Sequence, residues 1–218
     1  MSSSSPDTSA KPARRENTKI KLIRAAERLF AENGLGAVSV RDITRAAGAR
    51  NESALHYHFG SKEALIRAVF ADRISDIDSK RLALIAELDR SQAGQNVQLL
   101  MEATIAPMLE ACLDEGGRLY ATFLMQIAAD PRFDVDRLMD DLAPDGVQEV
   151  TQRLQGMLQD LPLETRATRL RRLATMSISI MADHAREVAN GTAPALDWAI
   201  AEAGTSIASY LTCESSCR

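Results

Sequence analysis

The stretch from Gly48 to Ile66, GARNESALHYHFGSKEALI, gathers side chains suited to touching nucleic acid. Arg50, Asn51, Glu52 and Ser53 come in a row. Arginine bonds guanine through two parallel N–H groups and asparagine bonds adenine as donor and acceptor, each good pair discriminating by about 1–3 kcal/mol. Ala54 beside them is small enough to meet a thymine methyl. Ser39, Thr44, Arg45, His56, Tyr57, His58 and Lys62 supply the hydroxyl, imidazole, phenol and cationic groups that fix a protein on phosphates without reading sequence. Lys62 follows Ser61, so its charge and the first amides of a helix capped there can share one phosphate. Lys11, Arg14, Arg15 and Lys19 are placed to follow the backbone or enter the minor groove.

Helices must position these groups. Leu22, Ala25, Ala26, Leu29 and Phe30 form one stripe of a helix expected over Thr18–Asn33, and Asn33-Gly34 stops it. Ser39 and Asp42 have the spacing of a capping box at the start of a short helix with Val40, Ile43 and Ala46-Ala47 on its apolar face. Gly48 ends that helix. A third, begun near Arg50 to Ser53, turns Ala54, Leu55 and Phe59 inward. Gly60 breaks the chain again, Ser61 caps a fourth, and Leu65, Ile66, Val69, Phe70, Ile74 and Ile77 keep helical spacing. A long helix, a short helix, a tight glycine turn and another short helix make a helix-turn-helix inside a small bundle. The second helix of that motif lays its amino-terminal residues at base edges in the major groove.

The charge distribution agrees. The 218 residues carry a net −4, yet residues 11–73 hold 13 Lys and Arg against 7 Asp and Glu, a local +6. With Asp7 counted, residues 74–218 are left with −9. A basic first third on an acidic body points the first part alone at a polyanion. No apolar run reaches the ~18 residues of a membrane span, and the serine- and proline-rich amino terminus lacks a signal-peptide core, so a cytoplasmic protein with no membrane partner is expected. Cys112, Cys213 and Cys217 make neither a disulfide framework nor a zinc pattern.

Beyond residue 90, apolar residues recur at three- and four-residue intervals. Helices are expected over Val97–Leu113, with a kink or break at Pro107, and over 118–129, 147–159, 164–190 and 194–211. The stretch between Ala129 and Val147 is acidic and irregular. The fold class expected is all-α: an amino-terminal three-helix helix-turn-helix DNA-binding domain plus a helical ligand-binding and dimerisation domain. The boundaries expected are a disordered tail over 1–17, the helix-turn-helix domain over 18–64, the regulatory domain over 65–213 and a tail over 214–218.

LIRAAERLFAENGLGAVSVRDITRAAGARNESALHYHFGSKEALIRAVF resembles the DNA-binding domain of the tetracycline-repressor family of bacterial transcription regulators. Leu29-Phe30 with Gly34, SVRDITRAAG and above all YHFGSKEAL carry the resemblance over about fifty residues. It implies a homodimer joined through the last two helices, a palindromic double-stranded DNA operator and a small-molecule effector bound in the helical domain. Repression relieved by ligand is the family's usual mode; activation and co-repression are the alternatives. Gly48 to Phe59 is eleven steps, one more than that pattern commonly has, which leaves two registers for Arg50 to Ser53.

In the carboxy-terminal half, Met101, Ile105, Met108, Phe123, Gln126, Ile127, Met176, Ile180 and His184 are the candidate effector pocket, mostly apolar with a few polar heads. Ala199, Ala203, Gly204, Ser206 and Ala208 keep one surface of the last helix small, permitting close approach by another helix, from a second subunit or from the same chain. The connection from Ser61 through Ile77 is the expected lever between effector and DNA. His56 and His58 stand about 200° apart around a helix, which keeps them from sharing a metal ion. No metal, cofactor or catalytic residue is expected. The competing class is a helical enzyme using His184 and carboxylates as acid and base, but no nucleophile motif, phosphate-binding glycine loop or metal spacing accompanies them.

Overall fold

A computed structural model describes residues 10–49, 51–133, 135–142 and 144–214. Arg50 lies outside the described residues, as do the terminal residues 1–9 and 215–218. The described residues form ten α-helices and no strand: α1 (Ala10–Asn33), α2 (Val40–Ala46), α3 (Ser53–Phe59), α4 (Lys62–Arg90), α5 (Val97–Ala111), α6 (Glu115–Ala129), α7 (Val135–Leu142), α8 (Asp145–Met157), α9 (Leu163–Asn190) and α10 (Leu196–Thr212). The chain divides into two compact units, Met1–Phe70 and Ala71–Arg218.

Three boundaries differ from expectation. α1 begins at Ala10, so the tail expected through residue 17 is helical from there; Pro12 falls in the first turn, where no intrahelical N–H is required. The acidic stretch after Ala129 contains α7, which buries Val135 and Leu138 three residues apart. α5 runs through Pro107 unbroken, with Pro107 itself buried.

In the first unit, α1, α2 and α3 pack around Leu22, Ala26, Phe30, Ile43 and Leu55, each 0% exposed. Truncating a buried ring such as Phe30 costs about 3–5 kcal/mol, so this small core fixes the pose of the short helices.

In the second unit α10 lies against α5, and α6 against α9. Ile85, Leu100, Met101, Val150, Leu154, Leu158, Ile207, Ala208 and Leu211 form one apolar cluster. α10 reaches α5 at Gly204: a Cβ there would stand 2.4 Å from Glu102 Cγ and 3.1 Å from Glu102 N. Ala203, Gly204 and Ala208 are therefore the inward face of α10, while Ser206 is exposed. Of the two partners open to the small surface, the same chain takes its inner part, where Gly204 meets α5; Ala199 and Ser206 are left partly or wholly uncovered.

Buried charge ties the other helices together. Arg81 is ion-paired with Asp78, both nearly inaccessible, and Arg81 Nε donates to Thr104 O at 3.4 Å. Asp78 Oδ2 accepts from Gly146 N at 2.7 Å, placing a carboxylate at the amino terminus of α8 where orphan amides favour one. Buried Arg169 donates to Leu211 O at 2.7 Å, a cation on a carbonyl of the last turn of α10.

Candidate nucleic-acid interface

The helix-turn-helix is built from its caps. Ser39 Oγ accepts from Asp42 N at 3.2 Å, and Asp42 Oδ2 accepts from Ser39 N at 3.1 Å and from the Ser39 hydroxyl at 2.6 Å. These hydrogen bonds hold the Asp42 carboxyl below its ordinary range. The Ser39 hydroxyl, expected on a phosphate, is thus already engaged in a complete capping box.

α2 closes with Ala47 N donating to Ile43 O, and Ala49 N donating to Thr44 O at 2.9 Å. Between them Gly48 adopts φ +65°, the left-handed region that side chains with a Cβ rarely enter. Nothing lies within 4 Å of where its Cβ would be, so backbone conformation alone calls for glycine. The elbow then delivers the chain to α3.

α3 begins at Ser53, with Glu52 as an N-cap that makes no side-chain hydrogen bond. The helix therefore starts at the end of the expected Arg50–Ser53 window, and Asn51 and Glu52 are exposed residues just ahead of it. Leu55 is wholly buried and fixes the rotation. At 100° per residue, Ser53 and Tyr57 fall about 160° to either side of Leu55, on the outward face. Both are exposed, Tyr57 to 65%. The Tyr57 ring stands out, edge-on to His58 with centroids 5.1 Å apart. His56 is exposed, and its Nδ1 is 3.0 Å from Gly60 O, a pairing that requires the Nδ1–H tautomer. His58 is half-buried beside Phe59.

Two expected phosphate ligands point inward. Thr44 is buried, and its hydroxyl donates to Val40 O and Arg41 O, each at 3.1 Å. Lys62 Nζ donates to Leu35 O at 2.6 Å and Val38 O at 2.5 Å, and stands 5.6 Å from the centroid of the Phe30 ring. Lys62 is a strap joining the start of α4 to the connection between α1 and α2. Ser61 does cap α4, its Oγ accepting from Ala64 N at 3.1 Å. Arg45 keeps a solvent-facing side chain, 3.9 Å from Asp42. Ser39, Arg45, Asn51, Glu52, Ser53, His56 and Tyr57 are thus the expected contacts that the structure leaves exposed, with the Ser39 hydroxyl already engaged in the cap.

The expected effector residues divide. Met101, Ile105, Phe123 and Ile127 are buried core, and Met108 is nearly so. Met176 and Ile180 are half-exposed on α9 and pack against the cluster containing Met101. Gln126 is half-buried. Only Ile180 and His184 of this set line a groove between α9 and α10, together with Leu109, Asp183, Glu187, Pro194, Trp198, Ala199, Glu202, Ala203 and Ser206. Sequence reasoning missed Trp198, whose isolation among small residues gave no periodic signal.

Among the described residues no cluster of three His, Cys, Asp or Glu has metal-ligand geometry, and no helix is long and apolar enough to cross a membrane.

Residues 22–69 match the model described as bacterial regulatory proteins of the tetR family, and residues 102–208 match a tetracyclin repressor-like carboxy-terminal domain. The HTH-type transcriptional repressor KstR2 of Rhodococcus jostii is 35% identical over 105 residues, 48% of this chain and 46% of that protein. This chain's match thus spans about half the length of that relative. The HTH-type transcriptional regulator UidR of Escherichia coli is 26% identical over 168 residues, 67% of this chain and 83% of UidR. A crystal structure described as a TetR family transcription regulator from Marinobacter aquaeolei superposes with a TM-score of 0.60 at 19% identity, covering 91% of this chain and 97% of that one. A transcriptional regulator from Rhodococcus superposes with a TM-score of 0.54 at 20% identity, covering 87% and 95%.

Proposed function

The chain belongs to the tetR family of bacterial regulatory proteins, and from that premise we propose that it is a DNA-binding transcriptional repressor acting on a near-palindromic operator as a homodimer. The observation that carries the reading is the outward face of α3. Gly48 supplies the turn, Leu55 sets the rotation, and Ser53 and Tyr57 are presented with His56 and Asn51 beside them. The local charge of +6 over residues 11–73 favours approach to a polyanion. In this role Tyr57 reaches a base edge or sugar, Arg45 and His56 reach phosphates, and Arg50 with Asn51 read bases at the amino end of the helix. Ser39, Thr44 and Lys62 hold the scaffold.

A dimer supplies two such helices to half-sites about 34–36 Å apart, or a related spacing. The exposed face of α9 and α10, with Trp198 60% exposed and Met176 and Ile180 half-exposed, is the surface this assembly uses. Relatives named as repressors support repression as the output. A small-molecule effector acts by population shift, binding the DNA-incompetent conformation more tightly than the competent one. The chain works as a regulator rather than as an enzyme.

The test is selection of bound duplexes from a random pool, followed by salt titration on the winner. The reading expects a two-fold symmetric motif and a steep, linear fall of log affinity with log salt. A flat enrichment profile, with affinity for heparin equal to that for any duplex, refutes it.

A further inference from the structure

The outer stripe of α9 changes sign along its length. At 100° per residue, Arg172, Met176, Ile180, Asp183 and Glu187 fall within about 80° of one another. Arg172, Asp183 and Glu187 are exposed, and Met176 and Ile180 between them are half-exposed. The stripe is thus a cation, an apolar centre and two carboxylates, in that order. The whole helix has the same polarity. Residues 163–176 hold Arg166, Arg169, Arg171 and Arg172 against Glu164, whereas residues 177–190 hold Asp183 and Glu187 against Arg186.

Neither end of the stripe is balanced within the chain. Among the described residues, the Arg172 guanidinium makes no ion pair or hydrogen bond. Asp183 is paired with Arg186. Glu187 has only the His184 imidazole, 3.9 Å away, which burial keeps neutral near pH 7. Neighbouring α10 adds Asp197 and Glu202 and carries no Lys or Arg. A two-fold interface must be complementary to itself, residue i meeting residue j and j meeting i. A stripe that is positive at one end and negative at the other satisfies this when two copies run antiparallel. Side by side in the same direction, Arg172 would face Arg172 and Glu187 would face Glu187, a juxtaposition of like charges.

We infer that a second copy of the chain docks α9 on α9 antiparallel, about a two-fold axis between Met176 and Ile180, so that Arg172 of each copy enters between Asp183 and Glu187 of the partner subunit. The spacing agrees. An axis midway between Met176 and Ile180 brings these two apolar residues opposite each other across the seam. Arg172 stands about 9 Å before that axis, level with position 184 of the other copy, and Asp183 and Glu187 flank that position on the outer stripe. Charges bordering an apolar seam set the orientation and register of the helices that meet there. This pairing rests on the homodimer proposed above and adds to it a direction, a register and a charge pair. It belongs to the second unit alone and does not depend on the chain binding DNA.

The experiment is sedimentation of the full-length protein, without DNA, over a range of concentrations. Arg172→Glu and Glu187→Arg should each weaken the dimer on the order of a hundredfold, because each change turns two attractions into two repulsions. Mixing the two variants should restore association to within about threefold of the wild type, since one copy then supplies the carboxylates and the other the guanidiniums. Both positions are exposed, so the helical circular dichroism of each variant should match the wild type, and recovery on mixing is itself proof that both fold. A dimer that persists in both single variants overturns the pairing and leaves the homodimer standing on another register. Variants that dissociate singly and stay apart when mixed overturn it too. A wild type that sediments as a monomer at every concentration refutes the homodimer as well, and leaves the stripe to a different protein.

Discussion

The ammonium of Lys62 donates to the backbone carbonyl of Val38, 24 residues earlier, at 2.5 Å. Its second partner is Leu35 O, so one side chain closes the loop between α1 and α2 against the start of α4. Hydrogen bonds from a charged group contribute about 1.5–3 kcal/mol, and the Phe30 ring beneath the cation adds to them.

Lys62→Ala should therefore lower the urea midpoint by the equivalent of about 2–3 kcal/mol. DNA affinity falls as the scaffold loosens, but the slope of log affinity against log salt stays unchanged. A lysine acting directly on a phosphate would lower that slope by about one unit on removal. Measuring both quantities on one variant separates strap from ligand.

Tyr57→Ala and Leu55→Ala should split function from stability on a single helix turn. Tyr57 is exposed and its truncation should move unfolding free energy by no more than about 0.5 kcal/mol while weakening operator binding. Leu55 is wholly buried and should cost about 2–5 kcal/mol. Chemical denaturation beside gel-shift titration reads both.

These contrasts mark what the sequence could and could not reveal. Leu22, Ala26 and Phe30 announce α1 by spacing, and Ser39 with Asp42 announces the start of α2, because both signals are local. Gly48 and Gly60 are legible because only glycine enters positive φ at no steric cost. Side-chain direction is different. Lys62 bonds carbonyls far back in the chain, and Thr44 folds onto its own helix, so neither orientation follows from residue type. Tyr57 stands outward because Leu55 sets the rotation of α3, which requires the true helix start at Ser53. The inward use of Gly204 depends on where α5 passes, a tertiary fact. α7 was hidden by its acidic composition, although Val135 and Leu138 lie on its buried side.

Glycine substitutions should distinguish backbone strain from crowding. Gly48→Ala meets no neighbouring atom, so its cost is the left-handed conformation, about 1–2 kcal/mol. Gly204→Ala meets Glu102, whose Cγ can move but whose backbone N cannot. The truncation Glu102→Ala should recover part of the Gly204→Ala loss and none of the Gly48→Ala loss. A double-mutant cycle by thermal denaturation measures the difference.

Cysteine reactivity should follow burial. The Cys112 thiol is pushed up to about 12 by burial and is enclosed by α5 and α9, within reach of Met108 O and Met181 O. Cys213 is exposed. At neutral pH a maleimide should label Cys213 in the folded protein and leave Cys112 unmodified until denaturant is added, as peptide mapping would show.

The last expectation concerns acid. Burial lowers the His184 pKa in the folded chain, whereas the unfolded chain titrates near 6.5. Between those two values the unfolded state holds a proton that the folded state refuses, so unfolding takes up protons and stability falls as pH drops through 6.5 toward the folded pKa. Above 6.5 both states are neutral at this residue and its contribution is constant. Asp42 and Asp89 behave in the same direction but lower down: hydrogen bonds from Ser39 and Arg153 depress them, so their contribution is lost only as pH falls below 3.8. The two windows separate in a urea-midpoint profile. His184→Gln should flatten the loss just below pH 6.5 and leave the acid limb below pH 3.8 intact, while Asp42→Asn should reduce the acid limb and leave the upper one. A variant at His184 with an unaltered slope below pH 6.5 would mean that the proton is taken up elsewhere.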